Sequence, residues 1–434
     1  MKKSKFTFLD LFSGIGGFRI AAEKYGGACK GFSEIEPKAI TTYKENFNTT
    51  DEVELGNITH LNDIPDADLL LGGVPCQSWS VAGAKKGFDD PRGQLWMDTI
   101  RLVETKRPKA FVFENVKGLR DPKHYKALKY IKDSFVNSGY EVHDKLLNAF
   151  DFGLPQNRER IFIVGLRNDV SRTISFDFPK PKECMHKLYQ IFDGLKVESS
   201  RLKKKKFLPR DLFGERIPAS RNRFQKQDEM NDFFILCDTR NGHTTIHSWD
   251  IKRTSKREKA ICITILKNRR KSQYGKWDGN PLSLKSLKSL IPGLKKNELN
   301  KLIEKGILRQ EEDSRYELVN TKNSAGINKV YRVYMPNSDV FSTLTATGTN
   351  DMVAMKTVRG TNPDDYKRNF ISEILNKKKY RPITGMEAAR LQGFPDCFKL
   401  HKDEKVAKRQ LGNAVPVNVV ESVIGALIDT GIFF

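Results

Sequence analysis

Phe6-Thr7-Phe8-Leu9-Asp10-Leu11-Phe12-Ser13-Gly14-Ile15-Gly16-Gly17 reads as a strand, a glycine-rich turn and the start of a helix. A turn of this kind lets the backbone approach a ligand closely. No Gly-Lys-Ser/Thr follows, which excludes a P-loop. The glycine pattern alone also suits a tight structural turn. Glu34 adds weight: it ends the next strand about 20 residues on and could accept hydrogen bonds from ribose hydroxyls. Together the two features point to an adenosine-containing cofactor.

Outward from this stretch, residues 1–170 alternate strands and helices. Strand candidates are 6–12, 28–33, 69–72, 111–115, 140–148 and 160–166, with helical patterns at 17–25 and 95–106. Such alternation implies a doubly wound, mostly parallel α/β sheet. Ligands bind beyond the carboxyl ends of the strands in such sheets. Near the other terminus, Val420, Val423, Ile424 and Leu427 form one buried helical stripe behind Pro416.

The 434 residues suffice for two or three domains. A net charge of +23 is too large to ignore and makes nucleic acid the expected partner; a membrane surface or an acidic protein is the competing reading. No uninterrupted apolar run reaches the ~18 residues that span a bilayer, so no membrane is expected. The six cysteines are scattered without a Cys-x-x-Cys pair. They fit a reducing cytoplasm and offer no metal site.

From about residue 171 the character changes. Basic runs such as Arg201–Lys206 recur to Arg381. A single run suits a solvated surface, whereas the repetition suits a nucleic-acid face. Within this basic α+β region, 282–319 has its own logic. Leu284, Leu287 and Leu290 are followed by the turn Pro292-Gly293. A second apolar set, Leu299, Leu302 and Ile303, is stopped by Gly306, and two short strands follow. This order resembles a winged helix-turn-helix, the alternative being an ordinary α+β piece.

Four segments carry chemistry. Pro75-Cys76-Gln77 follows the apolar strand 69–71 and a glycine pair, so Cys76 sits at a strand mouth. A lone cysteine is more often a small core residue. Glu114-Asn115-Val116 ends another strand, where a buried carboxyl would have a raised pKa and could donate to a ring nitrogen. A solvated glutamate is the alternative. Gln156-Asn157-Arg158-Glu159-Arg160 brings two arginines suited to phosphate and base oxygens, or to a surface ion-pair cluster. Finally, Arg409-Gln410-Leu411-Gly412-Asn413-Ala414 leads into the last helix.

With Arg390-Leu391-Gln392-Gly393-Phe394-Pro395 added, these pieces stand in one order along the chain. In that order they resemble a bacterial DNA (cytosine-5) methyltransferase of the restriction–modification type. The resemblance covers 6–166 and 380–429. It implies an S-adenosylmethionine-dependent methyltransferase fold on 1–170, a target-recognition domain on 171–400, and a return to the catalytic domain on 401–434.

It also implies S-adenosyl-L-methionine as methyl donor. Asp10, Phe12, Ser13, Gly14, Ile15, Gly16 and Gly17 would wrap the cofactor. Glu34 would bind the ribose, and Ile35 would pack with Phe12 on the adenine. Asn57 and Ile58, Pro75, Leu95, Asn413 and Ala414 complete the contacts. Asn57 stands where the family usually has Asp, although an amide oxygen can still accept from the adenine amino group.

Cys76 would attack cytosine C6, with Glu114 on N3 and the 4-amino group and Arg160 on O2. Arg158 would support a phosphate or Glu114. The base must be flipped out of double-stranded DNA. A glycine-rich lid over 80–93 would offer Ser80, Lys85, Lys86 and Arg92 to DNA, joined by Thr343 and Thr345. A monomer is expected, with a cognate restriction endonuclease encoded nearby. The rivals are a tRNA cytosine-5 methyltransferase and a DNA-binding regulator on a methyltransferase scaffold.

Overall fold

Strand β1 (Phe6–Leu11) is an interior strand, third in the order of a seven-stranded sheet. The structure is a computed structural model. It describes residues 5–61, 63–75, 91–171, 175–181, 187–197, 234–238, 243–245, 254–269, 271–275, 280–311, 313–318, 330–338, 340–346, 351–360 and 363–434, with backbone alone for 91–94, 123, 171, 234–238, 243–245, 330–331, 363–364 and 366–367.

The other strands of this sheet are β2 (Gly27–Ser33), β3 (Val53–Glu54), β4 (Leu69–Gly73), β5 (Ala110–Val116), β6 (Tyr140–Asn148) and β7 (Glu159–Arg167). Their spatial order is β3-β2-β1-β4-β5-β7-β6. The neighbours from β3 to β5 are parallel, and β7 runs antiparallel between β5 and β6. The sheet is doubly wound and mostly parallel, as the alternation implies.

Period-two alternation divides each strand between two cores. On β4, Leu69 and Leu71 enter one cluster and Leu70 the other. The first cluster takes Phe18, Ala21 and Ala22 from α1 (Gly17–Lys24). It also takes Val420, Val423, Ile424 and Leu427 from the last helix, Val417–Asp429, so the stripe read from spacing is fully buried. The opposite cluster takes Trp96, Ile100 and Val103 from helix Pro91–Lys106. Leu128, Ile131 and Phe135 of helix Tyr125–Asn137 complete that side.

The stretch Glu404–Asp429 contains an 18-residue window of mean hydropathy 1.5. It is not one continuous span. Helices Glu404–Asn413 and Val417–Asp429 are separate, and the second is packed into the core just described.

The chain divides into two compact units. Met1–His186, Ser342–Gly348 and Thr384–Phe434 form the first; Lys187–Phe341 and Thr349–Ile383 form the second. These limits differ from the expected breaks at 170 and 400. Phe176 lies in the first core, which carries the first unit past 170. At the other end, Gly385 N donates to Glu404, and Gln392 Nε2 donates to the Leu411 carbonyl. Segment 384–400 therefore folds with the C-terminal helices.

The second unit holds a five-stranded sheet. It comprises β8 (Phe234–Asp238), β9 (His243–Thr245), β12 (Val330–Tyr334), β13 (Met352–Ala354) and β14 (Tyr380–Pro382), in the order β14-β13-β12-β8-β9. A hairpin of β10 (Leu308–Gln310) and β11 (Tyr316–Leu318) stands apart from it. That hairpin shares a separate core with helices Lys256–Asn268, Leu284–Leu290 and Lys296–Glu304.

Candidate active site

The loop after β1 is built on left-handed backbone. Phe12, Gly14 and Gly16 have φ of 53°, 56° and 89°. Such angles are strained for Phe12 and easy for the glycines. A Cβ on Gly16 would strike the Phe47 ring at 2.3 Å, whereas one on Gly14 would meet nothing within 4 Å. Gly16 is thus dictated by packing, and Gly14 leaves open space above the loop.

Glu34 joins this loop to the end of β2. Its carboxylate accepts from the backbone N–H groups of Gly14, Ile35 and Glu36 at 2.8–2.9 Å. A carboxylate oxygen has further lone pairs, so the fixed group can still accept from hydroxyls. Beside it Ile35 is 69% exposed, an apolar plate in solvent. Ser13 Oγ is buried with no partner among the described residues. Open backbone, an immobilised carboxylate, an exposed aliphatic face and an orphan hydroxyl fit an adenosine group.

Other expected cofactor residues are placed differently. Asp10 is fully buried and accepts from the Tyr43 hydroxyl at 3.3 Å. Burial pushes its carboxyl well up, with Arg19 opposing. Arg19 itself binds Glu52 through two 2.7 Å contacts and lies over the Phe47 ring. This polar cluster braces the loop from beneath; Asp10 is a support and not a ligand contact. Ile15 is also buried. Ile58 is 2% exposed and packs in the core with Leu55 and Ile64, so its side chain faces away from any ligand.

Asn57 caps a short 3-10 turn. Its Oδ1 accepts from Thr59 N at 3.1 Å and Thr59 Oγ1 at 3.0 Å. The acceptor expected for an adenine amino group is therefore already engaged. Phe12 and Leu95 are partly buried against the second core, Asn413 is exposed, and Ala414 is half-buried.

Across the sheet, β4 and β5 end side by side, with Gly73 registered against Glu114. Val74 N donates to the Glu114 carbonyl, and Asn115 Nδ2 donates to the Val74 carbonyl at 3.1 Å. These bonds pin the backbone leading into Pro75. Asn115 is thus a positioning residue to which the sequence reading gave no role. Cys76, Ser80, Lys85 and Lys86 lie outside the described residues, as does the side chain of Arg92.

Glu114 is 8% exposed, and Arg160 Nε lies 2.8 Å from its Oε1. Burial pushes the Glu114 carboxyl up, and the Arg160 and Arg158 guanidiniums pull it back. Desolvation dominates, which favours the protonated, hydrogen-donating form.

Arg158 was expected to support a phosphate or Glu114, and its charge does act on Glu114. It is 1% exposed, and its guanidinium donates to the carbonyls of Leu344, Gly412 and Ala414 at 2.7–3.1 Å. It cannot also reach a phosphate. It ties segments 342–348 and 412–414 to β7 and acts on Glu114 only through its charge. Gln156 assists by donating to the Leu391 carbonyl and accepting from Leu344 N. Thr343 is likewise engaged, its hydroxyl donating to the Asn157 carbonyl, while Thr345 is exposed. Among the described residues no cluster of metal-ligating side chains occurs.

Comparison with known proteins identifies the family. The family model for C-5 cytosine-specific DNA methylases matches residues 6–429. The type II methyltransferase M.HgiBI of Herpetosiphon aurantiacus is 49% identical over 98% of this chain and 97% of its own length. The type II methylase M.HgiEI of the same organism is 50% identical over 96% of this chain and 95% of its own. The solved structure of a Spodoptera frugiperda DNMT2 mutant covers 97% of this chain and 99% of its own, with a TM-score of 0.53. Its 17% identity speaks for the fold alone. A family match along nearly the whole sequence, with relatives about half identical at full length, places the chain in the C-5 cytosine-specific DNA methylase family, as a DNA cytosine-5 methyltransferase.

Proposed function

We propose that this enzyme, a methyltransferase of the type II restriction–modification kind, methylates a cytosine flipped out of a specific duplex sequence, with Cys76 as nucleophile. It would act as a monomer in the cytoplasm and protect DNA from a cognate endonuclease encoded nearby. The observation carrying the reading is the buried Glu114 carboxyl beside Arg160, next to a Val74–Pro75 backbone held by Asn115.

The cytosine 5-carbon is a poor nucleophile. A thiolate at Cys76 adds to C6, forming a C–S bond and moving the ring electrons toward C5 and N3. Glu114, whose carboxyl pKa burial raises above its ordinary value, would donate to N3 as that nitrogen gains charge. Arg160 holds the base O2 and steadies Glu114 once it is ionised. S-adenosylmethionine, when bound, supplies an electrophilic methyl group. The loop after β1, with Glu34 and Ile35, would hold its adenosine part. After transfer the C5 proton leaves to water, the C–S bond breaks, Cys76 is released as thiolate and N3 returns its proton to Glu114.

Labelled methyl incorporation tests the substrate. The purified chain is expected to modify duplex DNA and leave tRNA unlabelled, and bisulfite sequencing should place the mark on cytosines in one sequence context. Labelling of tRNA in preference to DNA contradicts the reading.

A further inference from the structure

Residues 256–318 build a small module around their own apolar core. Its order is helix Lys256–Asn268, an extended residue Leu282, helix Leu284–Leu290, helix Lys296–Glu304, then β10 and β11. Leu282 and Tyr316 exchange two 2.8 Å backbone hydrogen bonds, a single bridge that ties the extended residue to the hairpin. Gly293 turns the chain between the last two helices with φ 68°. Ile261, Ile265, Leu287, Leu299, Leu302 and Tyr316 are among the residues sealing the interior. This is the winged helix-turn-helix order, in which the second helix of the pair is presented to a DNA groove.

The faces of that second helix are sharply divided. Leu299 and Leu302 are fully buried, whereas Lys296, Asn297, Asn300, Lys301 and Glu304 are exposed. Spacings of three and four put Asn297, Asn300 and Lys301 on one surface. Of the two acids of the helix, Glu298 accepts from Arg257 Nε at 3.0 Å, and Glu304, three residues past Lys301, shares that surface and offsets one of its lysines. Lys305 pairs with Glu258 at 2.7 Å. Lys296 and Lys301 have no ion-pair partner among the described residues, so the exposed face keeps positive charge in a chain of net charge +23. Asparagine can pair bidentately with adenine, and lysine with guanine, in the major groove. The hairpin tip carries Glu311 and Asp313, the latter paired with Arg315, which makes it a poor phosphate contact.

We infer that the exposed face of Lys296–Glu304 enters the major groove of the duplex the enzyme methylates, where Asn297, Asn300 and Lys301 read base edges. The inference rests on duplex DNA being the substrate.

The test uses the full chain and two duplexes: one carrying the sequence that the wild type methylates in bisulfite mapping, and one with that sequence scrambled. Asn297→Ala and Asn300→Ala should each lower the affinity ratio between them by about tenfold. Lys301→Ala should lower the same ratio by about tenfold. Thermal unfolding and S-adenosylhomocysteine binding should match the wild type, because these side chains are in solvent. Wild-type selectivity in both asparagine variants overturns the inference. So does an equal loss on both duplexes, which would make the helix a phosphate holder only. A wild-type chain that selects neither duplex overturns the substrate reading, and this inference with it.

Discussion

The catalytic unit keeps its decisive charges buried and engaged, whereas helix Lys296–Glu304 of the second unit holds most of its polar side chains in water. Arg158 holds three carbonyls, Arg19 binds Glu52, and Glu114 meets Arg160. Asn297, Asn300 and Lys301 sit exposed on the helix that buries Leu299 and Leu302. The contrast follows from the two tasks. Stabilising charge on a reacting ring needs dipoles and charges fixed in advance in a dry site. Reading a duplex needs side chains that can settle on base edges, with little at stake for the fold when one is changed.

Substitutions in the two regions should therefore fail in different ways. Cys76→Ser should lower methyl transfer by at least about a thousandfold while leaving duplex selectivity intact, read by single-turnover labelling and equilibrium binding. Loss of selectivity as well would join the two regions and break the contrast. Arg158→Ala strands carbonyls that the guanidinium satisfies, and should destabilise the chain by about 3 kcal/mol in urea unfolding. Asn300→Ala should move the same measurement by under about 0.5 kcal/mol. Similar values for the two would remove the distinction between engaged and exposed groups.

Glu114→Gln should slow turnover by about a hundredfold and also change its pH profile. The sign follows from the two ionisations. Attack needs the Cys76 thiolate, so the rate rises with pH on the acid side. Donation to N3 needs the Glu114 proton, which burial retains to higher pH than usual, so the rate falls on the alkaline side as that proton is lost. The variant should keep the rising limb and lose the falling one. A falling limb that survives would assign it to another group. The smallest effect is expected at Asn57. Asn57→Asp supplies a second acceptor beyond the one capping Thr59, and should tighten S-adenosylhomocysteine binding by about fivefold in calorimetry.

Much of the catalytic unit was legible because chemistry and period constrain it together. Strand β6 ends where its pattern ends, and β1, β2, β4, β5 and β7 differ from the reading by a residue or so at their ends. The glycine loop and the elevated Glu114 followed from residue type and strand position. Arg158 was not legible, because its partners lie 186 to 256 residues away in sequence. Nor was the Asp10–Tyr43–Arg19–Glu52 cluster, which only tertiary packing assembles. Asn57 had a usable signal, since asparagine ahead of a short helical turn is a common cap. In the second unit, apolar spacing and the Pro292-Gly293 turn announced the helix pair, but no spacing announces which exposed residue meets which base.

The proposed mechanism turns on a thiolate at Cys76 bonding to a cytosine taken out of duplex DNA. Incubation with a duplex containing 5-fluorocytosine in the target context, plus S-adenosylmethionine, traps this bond, because fluorine cannot leave as the C5 proton does. The expected product is a denaturation-resistant protein–DNA adduct that maps by mass spectrometry to the peptide containing Cys76. An active enzyme that yields no adduct, or one attached elsewhere, contradicts it.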